Sequence, residues 1–256
     1  MIGLVRAELL KLSTTRLWWV MLLVTLLLIG VNLAFFIGFA GNPQGGLPAL
    51  DTPEWVQFAW SAGSGGGIFV MILGVVMITS EFRYQTITGT FLTTPRRERV
   101  IAAKLFAGLI VGALFAVAVL IFTALVVIPT VMIAGGELSL GESRVPQISL
   151  GILASLALYT LFGIGLGALV RNQIAGIVGA VAWAYVIENI FLGVPALQVV
   201  GKWLPGGAAR ALMSIDVDTG MDANMLPAWG GALVLAGYAV VFAIAASATT
   251  VRRDIT

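Results

Sequence analysis

The chain has 256 residues, 59% hydrophobic and only 10% charged, with a mean hydropathy of +1.04 and a formal net charge of +2. Soluble domains carry about 25% charged residues, so this composition belongs in lipid. Cysteine and histidine are both absent. Disulfides, thiolate chemistry, the commonest metal ligand and a Ser–His catalytic pair are therefore excluded, while a Ser–Lys or carboxylate chemistry stays open on composition.

The first segment, 1–16, places Ile2, Val5, Leu9 and Leu12 at helical spacing, with Arg6, Glu8 and Lys11 elsewhere on the wheel. This pattern predicts an amphipathic helix lying in the membrane interface. Six apolar stretches follow: Leu17–Ala40, Phe58–Ser80, Leu105–Ala134, Ile148–Val170, Ile174–Gly193 and Ala228–Thr250. At about 1.5 Å per helical residue, such runs cross a hydrocarbon core of about 30 Å. The first run exceeds a signal-peptide core of about 7–15 residues and no small-residue cleavage site follows, so it is read as an uncleaved span. The reading is one transmembrane domain over 1–256, an all-α integral membrane protein with six spans.

An even span count puts both termini on one side. Eleven of the 14 basic residues fall there: Arg6, Lys11, Arg16, Arg83, Arg96, Arg97, Arg99, Lys104, Arg171, Arg252 and Arg253. Arg144, Lys202 and Arg210 fall opposite. Short loops rich in Lys and Arg stay cytoplasmic, so both termini are expected inside. This split of charge by side also argues against nucleic acid as the partner of a basic chain.

Tryptophans are expected at the borders, because the indole ring is apolar and its N–H needs a partner. Trp18 and Trp19 open the first span, Trp55 and Trp60 flank the outer end of the second, and Trp203 and Trp229 bracket the last external region; Trp183, in mid-span, is the exception. Three GxxxG pairs, Gly63/Gly67, Gly108/Gly112 and Gly163/Gly167, predict close helix packing within the chain. Pro129 is expected to kink or end the third span. No internal repeat is visible, which argues against a transporter of inverted halves.

Between the second and third spans lies EFRYQTITGTFLTTPRRERVIAAK, Glu81 to Lys104, longer and more basic than a hairpin needs. Thr94 and Pro95 read as an N-cap and first-turn proline. Upstream, Thr86, Thr90, Thr93 and Thr94 alternate with Ile87, Phe91 and Leu92, as in a short helix whose face meets another protein.

This chain resembles the ABC type-2 exporter permeases in three places. RAELLKLSTTRLWW (Arg6–Trp19) is similar to that family's interfacial helix entering span one. The 81–104 loop resembles its acidic residue, Thr-rich short helix, Pro-Arg pair and terminal Lys. Lys202-Trp203-Leu204-Pro205-Gly206 resembles its Leu-Pro element before the last span. One departure is Gln85, where relatives often have Gly.

The resemblance implies a type-2 exporter fold and a permease subunit that is not itself an enzyme. Consistently, no G-x-x-x-x-G-K-[ST] loop occurs in the sequence. It further implies a separate cytoplasmic ABC ATPase that binds the ATP and Mg, and a second permease, identical or paralogous. No cofactor or metal would sit on this chain, and its home would be the cell inner membrane. Glu8, Lys11, Glu81, Arg83, Thr86, Thr90, Pro95, Arg96, Arg97 and Lys104 are the residues this likeness assigns to ATPase coupling.

Polar groups inside the spans are few: Asn32, Thr123, Tyr159, Glu188 and Asn189 are the main ones. A carboxylate at mid-bilayer costs on the order of 2.5–3.5 kcal/mol, which draws attention to Glu188. It reads either as a substrate, cation or gate residue or as a glutamate at the outer water boundary satisfied by water and Asn189. Asn32, Tyr159, Glu188 and Asn189 form the candidate substrate pathway. Asp216, Asp218 and Asp222 read as an ordinary hydrophilic loop. The external region 194–227 is expected to fold as short helices over the exit of a pathway. The expected cargo is a hydrophobic or amphiphilic small molecule or peptide. An ion or polysaccharide exporter and a non-transporting regulatory or immunity protein stand as alternatives.

Overall fold

The computed structural model describes residues 1–42, 46–86, 89, 96–137, 141, 143–213 and 225–251. Every regular element among them is helical: α1 (Ile2–Ser13), α2 (Leu17–Gly38), α3 (Pro53–Ser61), α4 (Gly67–Arg83), α5 (Arg97–Ile133), α6 (Val145–Val170), α7 (Gln173–Val181), α8 (Glu188–Gly193), α9 (Gln198–Gly201), α10 (Pro205–Met213) and α11 (Ala228–Val251). Among the described residues, five helical stretches are long and apolar enough to cross a membrane: Leu17–Gly38, Pro53–Arg83, Glu98–Ile133, Val145–Val170 and Gln173–Gly193. The sixth expected stretch coincides with α11, whose described apolar part, Ala228–Tyr238, is shorter.

Two spans are not the continuous helices that the sequence suggests. The second begins at Pro53, where Thr52 caps α3 by accepting from Trp55 N–H. It then tightens into a 3-10 turn at Ala62–Gly66 before resuming as α4. Glycine-rich AGSGG has little intrinsic α preference, and the turn lets Gly63 fit between Ile152 and Val119. The fifth widens into a π-turn at Ala182–Ile187 between α7 and α8. Pro129 does not end α5, which runs on to Ile133.

α4 and α6 lie in the middle and make the most extensive contact of any pair. Small residues permit it. A Cβ on Gly163 would strike the Met71 carbonyl, one on Gly74 the Thr160 carbonyl, and one on Gly167 would lie 3.0 Å from the Val75 carbonyl. Gly108 and Gly112 of α5 meet Ile164 and Ala157 of α6 in the same manner. The GxxxG faces are thus intramolecular seams, as lipid-embedded packing requires.

Trp55 and Trp60 are buried core residues instead of interface anchors. Each indole N–H finds a protein partner there, the Phe36 carbonyl at 3.3 Å and Ser149 Oγ at 2.9 Å. Trp19, Trp203 and Trp229 are exposed. The α1 face turned to the bundle contains Leu4, Val5, Leu9 and Leu12, but its most buried residue is Glu8; Ile2 and Leu10 point away. That face packs on α5, so charge is its centre and its leucines are the surround.

α4 ends in a two-bond reversal: Gln85 N–H reaches the Phe82 carbonyl at 3.3 Å and Thr86 N–H the Glu81 carbonyl at 3.0 Å. This geometry needs a left-handed residue at Gln85, which has φ +55°; glycine occupies such a position without the Cβ clash. Gln85→Gly is expected to leave stability unchanged or raise it by up to about 1 kcal/mol, measured by thermal unfolding in detergent. Clear destabilisation would show that the glutamine side chain itself matters.

Candidate functional site

Three helix ends converge where α4 stops and α5 starts. Lys104, one turn inside the apolar part of α5, is 3% exposed. Its ammonium donates to Glu8 Oε2 at 2.7 Å, Glu81 Oε1 at 2.8 Å and the Met77 carbonyl at 3.4 Å. All three ammonium protons thus have acceptors. Lys11 closes the group from the solvent side, 2.7 Å from both Glu8 Oε1 and Glu81 Oε1. Glu8 and Glu81 are buried. The result is a neutral quartet joining α1, α4 and α5 although Glu8 and Lys104 are 96 positions apart.

Burial works against the charge of Lys11, but the hydrogen bonds and charges of Glu8 and Glu81 outweigh it and raise its pKa. A raised lysine pKa means that its contribution is complete below the ordinary lysine value and is lost only as pH climbs through the folded-state value. Lys11 therefore holds its charge throughout neutral conditions.

The other coupling candidates are placed differently. Arg83 is exposed, donates to Gln173 Oε1 at 3.2 Å and lies 5.7 Å from the Tyr84 ring centre. Thr86 and Arg96 are exposed. α5 begins at Arg97 with Arg96 as its uncapped N-terminal neighbour; the Arg97 side chain, Thr90, Thr94 and Pro95 lie outside the described residues, as do Asp216, Asp218 and Asp222. The structure thus sorts the set into a quartet, with Glu8, Glu81 and Lys104 buried and Lys11 at its solvent side, and exposed residues at its edge.

A second polar group lies toward the other end of the bundle. Glu188 is buried, and its two oxygens accept three hydrogen bonds. Tyr159 Oη of α6 donates to Oε2 at 3.1 Å. Trp183 Nε1 of the π-turn donates to Oε1 at 2.9 Å, and Gly206 N–H in the first turn of α10 donates to the same oxygen at 3.0 Å. The mid-span Trp183 thereby acquires its indole partner. Tyr159 and Glu188 meet, whereas Asn189 and Asn32 do not join them. Asn189 Nδ2 turns to the Ala184 and Tyr185 carbonyls, and Asn32 Nδ2 to that of Leu28. Both asparagines are exposed, so Glu188 is satisfied by the protein and not by Asn189 at a water boundary.

Sequence reading placed Gly206 in the Leu-Pro element but gave its N–H no partner, and assigned Trp183 no role. A tryptophan in mid-span five residues before a buried-span glutamate was the available signal, since its N–H needs an acceptor there.

A family profile described as "ABC-2 family transporter protein" matches residues 4–189. No curated protein matches the chain. The matched stretch contains the whole quartet together with Tyr159, Trp183 and Glu188, and stops before α10.

Proposed function

The chain belongs to the ABC-2 family of transporter proteins, and on that premise we propose that it is the permease subunit of an ATP-driven exporter. As a multi-pass membrane permease it leaves ATP hydrolysis to a separate subunit. In this reading six spans cross the cell inner membrane, both termini are cytoplasmic, and two permeases pair with two cytoplasmic ABC ATPases that hold the ATP and Mg. The cargo is a hydrophobic or amphiphilic small molecule or peptide, consistent with apolar, charge-poor spans.

The quartet carries this proposal. An ATPase closing beneath the membrane must move spans, and a force on one loop moves several helices only if they are tied together. Glu81 ends α4, Lys104 lies in the opening turns of α5, and Glu8 and Lys11 sit on the interfacial helix α1. In this reading the exposed residues Arg83, Thr86 and Arg96 meet the ATPase, and Thr90, Pro95 and Arg97 are assigned to the same contact by the family likeness. The quartet passes its displacement to the spans. The loop docks and the quartet transmits.

The experiment is co-purification from native membranes. Wild-type chain is expected to bring down a nucleotide-hydrolysing subunit, and Arg96→Glu with Arg97→Glu to lose most of it while remaining folded. Undiminished recovery from the double reversal removes the docking assignment. Failure of wild type to recover any such subunit removes the proposal.

A further inference from the structure

We infer that Glu188 is a positioning residue that clasps the α9–α10 cap over the outer end of the bundle, with the π-turn before it as the hinge. The sidedness rests on the permease reading above; the clasp itself rests on geometry.

α10 is a short helix opened by Pro205, and its first-turn N–H groups have no partner within the helix. Glu188 supplies an acceptor to one of them, at Gly206. Carboxyl oxygens are favoured at that end by the helix dipole as well. The same side chain is gripped by Tyr159 of α6 and by Trp183. One carboxyl group thus ties the cap to two walls of the bundle.

The packing favours a clasp over an open ligand pocket. A Cβ on Gly206 would run into the Glu188 carboxyl and lie 3.4 Å from Tyr159 Oη. A Cβ on Gly207 would strike the Gly201 carbonyl, and one on Gly201 the Phe191 carbonyl. The cap is closed down onto its neighbours at each of these glycines, with the Glu188 carboxyl in direct contact with the first turn of α10.

The π-turn supplies the means of release. Its turns close between residues five apart and hold one residue more than α-helical turns. Reverting Ala182–Ile187 to α geometry would rotate Glu188 by about 100° relative to Trp183. Such a rotation withdraws the acceptor from Gly206 and frees α10. Helix displacement within the span is thereby converted into opening of the cap.

The chain has no cysteine, so single cysteines report without background. Ala209→Cys places one on the buried face of α10, and Ala59→Cys places one in buried α3 as a control. Intact cells are labelled with a membrane-impermeant maleimide. Glu188→Ala is expected to speed labelling at 209 by about tenfold, the scale of a lost buried hydrogen bond. Glu188→Gln keeps an acceptor oxygen and is expected to fall between Ala and wild type. Position 59 should stay protected in all three backgrounds. An unchanged rate at 209 in Glu188→Ala overturns the proposal, as does a rise that position 59 shares. A rise found only in inside-out vesicles overturns the outward placement, and the exit role with it. The readout needs neither ATP nor cargo, so it stands or falls apart from the ATPase assignment.

Discussion

Lys104→Met is expected to destabilise the folded chain by about 3–5 kcal/mol, the range for breaking a buried ion pair from one side. The cause is what remains. Glu8 and Glu81, with side chains 7% and 6% exposed, lose their buried counter-charge, and only the half-exposed Lys11 still faces them. Two carboxylates held a few ångströms apart repel each other, and undocking α1 is the direct relief. Lys11→Ala should cost under about 1 kcal/mol, because water screens that pair. Replacing the buried charges together, Glu8→Gln, Glu81→Gln and Lys104→Met, should recover most of the stability, since a matched set removes both attraction and desolvation cost. Thermal unfolding in detergent measures all three. A Lys104→Met protein that melts with wild type would mean that the quartet does not hold α1. The triple variant then separates holding from transmission. It should fold and bind the ATPase yet transport poorly if the charges carry the force.

How much of this was legible follows from the range of each interaction. Five of the six expected spans were readable because hydropathy and length are local. The GxxxG seams were readable because lipid leaves close packing as a main source of helix cohesion. Glu8, Glu81 and Lys104 could be singled out by resemblance. That they neutralise one another could not, because the pairings join positions 96 and 23 residues apart. Trp55 and Trp60 misled for a related reason: an indole N–H is satisfied equally by interfacial water or by a carbonyl on a distant helix. The two broken spans lay below the resolution of hydropathy, which does not distinguish α from 3-10 or π winding. Gly206 was invisible because its role is a backbone N–H, which every residue except proline carries. Gln85 was the opposite case. Its departure from glycine was visible in the sequence, but the left-handed φ that explains it appears only in the fold.

Gly163→Ala is the sharpest test of the central seam. Its new methyl group would collide with the Met71 carbonyl, with the Met71 carbonyl carbon at 2.8 Å and Val75 N at 3.0 Å. From the other side, Gly74 would collide with the Thr160 carbonyl, with Ile164 N at 2.9 Å. Backbone meets backbone on both faces, so no side chain can rotate away; α4 and α6 must separate. Overpacking typically costs about 1–3 kcal/mol, and this contact should reach the upper end because separation also loosens Gly167 against Val75 and Ile78. Gly179→Ala is the matched control. Its methyl group would rest 3.8 Å from Leu166 Cδ2, an ordinary contact, and alanine is favoured over glycine inside a helix by up to about 1 kcal/mol. The two glycine-to-alanine changes should therefore shift the unfolding midpoint in opposite directions. If both move it the same way and by the same amount, the α4–α6 seam is not held by backbone contact, and intrinsic helix preference alone accounts for these glycines.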